Sequence, residues 1–220
     1  MSFTFNTSGV NNAGGASASL TVALTGINLG DMVVMHVGAD TSSTTPVFSG
    51  SDGTSSFASG TFGEATVALC YDQLLYLLSS TVSGSVTYTA SYTGSVVGAS
   101  VEVYVFTPSS AVTFDIDTAT NGANNGTSIA SGNITTTGTD ELVFGAAFSQ
   151  NVPTYSAQQI NGTNATGNIG TNYGNTWYLH VTSTFTSNAT CTSSANNWWI
   201  ARAAAFKISG APNLLGQQCL

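Results

Sequence analysis

The chain has 220 residues, ten of them acidic and only two, Arg202 and Lys207, basic, for a formal net charge of −8. That imbalance argues against nucleic-acid binding, which needs Lys and Arg to displace phosphate counterions, and against attraction to anionic membranes. With 42% hydrophobic and only 5% charged residues, the chain can bury a real core and must hydrate its surface with Ser, Thr, Asn, Gln and Gly.

The opening, Met1 to Asn6, has neither the basic stretch nor the apolar stretch of a secretion signal, so release by cell lysis is expected. Apolar residues then recur with period two, not 3.6, in segments rich in Val, Thr, Tyr and Phe: 19–26, 32–38, 65–78, 85–92, 96–107, 112–117, 141–149, 176–186 and 198–208. Gly30 and Asp31 suit a tight turn into the second of these, and Asp140 suits another before Leu142. His36, inside an apolar strand, reads as a satisfied core histidine. The apolar run 69–78 is interrupted by Asp72 and Gln73 and falls short of the ~20 residues that span a membrane, so no membrane insertion is expected.

Cys70 sits in an apolar segment and reads as a buried thiol; a Cys70–Cys191 disulfide is conceivable, and Cys219 falls in a terminal tail, 209–220. The candidates for a metal are Asp115 and Asp117, which share one strand face, joined by Asp40 or Asp52; calcium takes six to eight oxygens, and two alternating Asp residues supply too few. Neither metal nor cofactor is expected. The stretches 118–133 and 161–174, dominated by Asn, Gly, Thr and Ala, read as loops at the ends of the fold. In 176–186 the residues Trp177, Leu179, Val181 and Phe185 alternate with His180, Thr182, Thr184 and Thr186, giving one core face and one wet face. In 198–208 both faces are apolar: Trp199, Ala201, Ala203 and Ala205 on one, and Trp198, Ile200, Ala204, Phe206 and Ile208 with Arg202 on the other. Either the strand is central and covered on both sides, or its second face meets another copy. Trp198, Ile200, Arg202 and Phe206 are therefore the candidate interface residues.

Many strands and no amphipathic helix predict an all-β, antiparallel, two-sheet β-sandwich, jelly-roll-like, as a single domain over 1–208 with a tail over 209–220. No G-x-S-x-G or H-E-x-x-H motif is present, and Glu64, Asp72, Glu102 and Glu141 are scattered, so no catalytic residues are expected. The competing function is sugar binding by an aromatic platform drawn from Tyr155, Tyr173 and Trp199, with Trp177 and Trp198 as further candidates.

Four segments carry a resemblance: Gly30 to Val37, Val101 to Phe106, Thr136 to Gly145 and Trp199 to Lys207. Their rhythm is a Gly-Asp turn into an apolar strand, a Val-rich middle strand, a Thr-rich lead into an Asp-Glu-Leu-Val strand and a closing Trp/Ala-rich strand. It resembles a β-sandwich module of phage minor tail and other virion proteins and of bacterial surface proteins. The resemblance implies attachment or decoration rather than catalysis. The expected function is a noncatalytic structural protein of a bacteriophage particle, either a capsid decoration or cement protein or a tail-associated subunit, located in the virion and assembled in the host cytoplasm. Its expected partners are itself, as a homo-oligomer, and other virion proteins. The alternative is a carbohydrate-binding or adhesive module of a cell-surface or fibre protein, extracellular and bound to surface polysaccharide.

Overall fold

A computed structural model of the chain describes residues 2–15, 17–42, 44–65, 69–94, 96–120 and 125–209. The first half supplies β1 (Phe3–Ala13), β2 (Ser19–Ile27), β3 (Met32–Thr41), β4 (Phe48–Ser51), β5 (Ala58–Ala65), β6 (Cys70–Leu77), β7 (Gly84–Tyr92) and β8 (Val96–Pro108). The second half supplies β9 (Val112–Ala119), β10 (Asn125–Ala130), β11 (Ile134–Thr135), β12 (Glu141–Ser149) and β13 (Tyr155–Ile160). It continues through β14 (Thr163–Asn164), β15 (Gly167–Gly170), β16 (Gly174–Val181), β17 (Thr186–Ser187) and β18 (Ala189–Ile208). The fold is all-β and antiparallel, with no helix among the described residues.

Alternation along the strands decides the layers. In β3 the residues Val33, Met35, Val37 and Ala39 point one way, into a core shared with Val101, Val103 and Val105 of β8 and with Leu20, Val22, Leu24, Val86, Tyr88 and Ala90 of β2 and β7. A sheet ordered β1-β8-β3-β6-β5 is thereby packed on a smaller sheet, β2-β7-β4. The intervening residues Met32 and Val34, with Leu74, Tyr104 and Phe106, point the other way, against Leu142, Phe144, Tyr178, Ala204 and Phe206 of the second half. All ten residues of β3 are buried as a result, as expected of a central strand covered on both faces. Each large side chain so buried contributes about 1.5–3 kcal/mol.

The second half is organised by β18, which is 20 residues long. Its first part pairs with β10 and β13, its last part with β12 and β9, and the sheet curls so that Trp177, Trp199, Ala201, Ala203 and Ile129 enclose a third core. The sandwich thus continues into a curled sheet stacked behind its larger layer. The segment 141–149 is β12 to the residue, whereas the strand expected over 176–186 ends at Val181. The stretches read as loops, 118–133 and 161–174, contain β10, β14 and β15. The tail beyond Ser209, with Cys219, lies outside the described residues.

Candidate functional site

Four ionisable side chains meet where the larger sheet of the sandwich faces the curled sheet: His36 of β3, Asp72 of β6, Glu102 of β8 and Arg202 of β18, all without solvent exposure. Each occupies a position whose neighbours two residues away are apolar or small, which aims it into the joint. Arg202 grips Asp72 with both arms, Nε to Oδ2 at 2.9 Å and Nη2 to Oδ1 at 2.6 Å, and donates further to the carbonyls of Asp72 and Thr61. His36 Nε2 lies 3.0 Å from Asp72 Oδ2 and Nδ1 lies 2.7 Å from Glu102 Oε2. In its imidazolium form His36 carries a proton on each ring nitrogen and donates one to each carboxylate.

In that form the quartet sums to zero charge, which lets four buried charges coexist in a low dielectric. Burial works against the His36 cation, but Asp72 and Glu102 outweigh it and hold its pKa above the ordinary 6.5. Burial likewise opposes the Asp72 anion, and Arg202, with His36, overcomes it and holds Asp72 well below the usual carboxylate range. Thr171 Oγ1 donates to Glu102 Oε1 at 3.2 Å and completes its shell. Gly63 leaves room for the grip, because a Cβ there would overlap Asp72 Oδ1 and crowd Arg202 and Ile200.

A second cluster lies at the strand ends. Lys207 Nζ donates to Asp115 Oδ1 and to Thr137 Oγ1, both at 2.6 Å, and the Thr137 amide donates to Asp115 Oδ2 at 2.8 Å. Burial opposes the Asp115 charge, but Lys207 and Thr137 prevail and keep its pKa below the ordinary range. Glu141, registered opposite Lys207 and fully buried, accepts from the Gly138 amide through Oε1, while Oε2 has no hydrogen-bond partner among the described residues. Burial pushes its pKa up to about 7, with the Asp115 charge acting in the same direction. Beside this cluster His180 Nε2 meets Asp140 at 2.5 Å.

The carboxylates considered for calcium are used separately. Asp117 accepts from Thr61 N at 2.5 Å and from Thr61 Oγ1 at 2.9 Å, while Asp52 caps a turn through Thr54 N and Ser55 N. Among the described residues, no three His, Cys, Asp or Glu are placed to hold a metal. Cys70 and Cys191 are separate buried thiols and do not form the disulfide considered above. Asp31 is structural, accepting from Asn28 N, Asn6 Nδ2 and Thr107 Oγ1 and so tying the β2–β3 turn to β1 and β8.

The proposed intersubunit residues require correction. Ile200, Arg202 and Phe206 have no exposed surface within a single copy, because β6, β9 and β12 already cover them; only Trp198 is half-buried. The second face of this strand is an internal joint. The sugar-binding aromatics also fail to assemble. Trp199 lies in the third core, Tyr155 spends its hydroxyl on Ser149 and the Tyr173 carbonyl, and Tyr173 stacks on Phe148 at 6.2 Å. A cleft of about 340 Å³ lined by Gly30, Leu78, Ser79, Pro108, Ser110 and Val112 contains no ionisable side chain. What sequence reading missed is that Arg202, Asp72, His36 and Glu102 form one chain of contacts; the available signal was three charges set into otherwise apolar strands of a chain poor in charge. Comparison with protein-family models, with curated protein sequences and with solved structures finds no match.

Proposed function

We propose that the chain is a noncatalytic structural protein of a bacteriophage particle, a capsid decoration protein or a tail-associated subunit. The observation that carries this reading is where the charge goes. Arg202 is sealed in the core and Lys207 is held by Asp115, leaving a surface dominated by uncharged hydroxyl and amide side chains. The outer face of the small sheet displays this, with Ser19 opposite Ser91 and Thr21 opposite Thr89. Such a surface is hydrated without strong fields, and the two bonds open to trypsin-like proteases are locked in a strand. Both properties suit long exposure outside cells.

Assembly then draws on the apolar side chains left at the surface, Phe5, Val10, Leu29, Val47, Val97 and Val152, with shape setting specificity. The partners are further copies of the chain and other virion proteins. The test is composition: gradient-purified particles of the virus carrying the gene should contain the chain in multiple copies by quantitative mass spectrometry, and antibody to it should label intact particles. Recovery from the host envelope instead of the particles would overturn the reading.

A further inference from the structure

Asp115, Lys207 and Glu141 stand on three neighbouring strands of one sheet, β9, β18 and β12, with Lys207 in the middle. The amine lies 2.6 Å from the Asp115 carboxylate, and only 2% of the Asp115 side chain is exposed. On the other side of Lys207, Glu141 is buried, and one of its carboxyl oxygens has no hydrogen-bond partner among the described residues. The Glu141 carboxyl interacts with both partners, with the Lys207 amine through its charge and with the Asp115 carboxyl within hydrogen-bonding reach.

We propose that Lys207 and Asp115 are a self-modification site, joined by an amide between Nζ and Cγ, with Glu141 as the proton carrier. The step balances without an outside reagent. Glu141 takes a proton from the Lys207 ammonium, and the freed lone pair attacks Asp115 Cγ. Glu141 returns the proton to a carboxyl oxygen, and a second proton follows from Nζ by the same route. That oxygen leaves as water: one C–N bond forms, one C–O bond breaks, nothing is oxidised or reduced, and Glu141 is regenerated.

Three features of the site support the step. A pKa of about 7 lets Glu141 exist in both forms near neutrality, which suits a group that must accept and donate in turn. Thr137 holds both Asp115 oxygens and the Lys207 amine, fixing the attack geometry. The Lys207 side chain is 34% exposed, which gives the released water a way out. Two partly desolvated charges become one neutral amide, and β9 is tied covalently to β18. The inference is independent of the particle reading.

Intact-mass spectrometry of the denatured chain tests it. The wild type should be lighter than its sequence by one water, and digestion should yield a branched peptide joining the Asp115 and Lys207 segments. Lys207→Arg and Asp115→Ala should return to full mass, and Glu141→Gln should slow the loss by a factor on the order of 10²–10⁴. Full mass in folded wild type after prolonged incubation would overturn the proposal. So would water loss mapped to a succinimide at Asp52 and Gly53. A Glu141→Gln chain that loses water as fast as wild type would overturn the role of Glu141. The branched peptide is sought in wild type, so misfolding of a variant leaves that decision intact.

Discussion

Arg202 and Asp72 cannot be removed one at a time without stranding the other. Arg202→Met takes two of the three hydrogen bonds from the buried Asp72 carboxylate, and should cost about 3–5 kcal/mol. Because His36 and Glu102 remain a neutral pair without them, Asp72→Leu with Arg202→Met should cost less than either single change, as read from denaturant midpoints. The pH dependence follows from the same side chains. His36 has a raised pKa, so its contribution is complete below 6.5 and is lost as pH rises through its folded value. The Asp72 pKa is lowered, so its contribution is complete above 3.8 and is lost as pH falls through its folded value. The quartet is therefore fully stabilising between those two ordinary values. The stability advantage of wild type over His36→Gln should shrink as the solution is made alkaline, and an advantage that grew with pH would contradict the imidazolium assignment.

At the scale of elements, β5 is held against β6 and β18 by close approach more than by apolar bulk. Gly63→Ala should destabilise by about 1–3 kcal/mol through overlap with Asp72, while Ser59→Ala, exposed on the same strand, should leave the melting temperature unchanged. The contrast also explains which elements sequence could reveal. Strands such as β3, β8 and β12 carry Val, Met, Phe and Leu on both faces or in strict alternation, so their existence and much of their extent are written in composition. By contrast, β1, β5, β10 and the first part of β18 are built from Ser, Thr, Gly and Asn, and their strand character comes from backbone pairing with distant neighbours, which no local pattern encodes. The charge network was half legible: Arg202 stands out as a cation among Ile200, Ala204 and Phe206, but Asp72 is 130 residues away in sequence. Only the fold reveals that the two meet.

For the whole molecule, the burial of Arg202 predicts that trypsin leaves the native chain intact over a time in which the denatured chain is cut at that residue; cleavage at equal rates would show that β18 opens readily. This strand also shapes how the molecule comes into being. β18 is synthesised after β9, β10, β12 and β13, every partner it pairs with. A ribosome delivering residues at about 5–20 per second therefore holds a nascent second half whose edges are open and whose third core lacks Trp199 and the alanines. Closure waits for the last stretch, then engages four strands in one cooperative event dominated by sequence-distant contacts, a slow class of folding step. A chain halted before residue 189 would expose those open edges to other chains, so incomplete copies would aggregate.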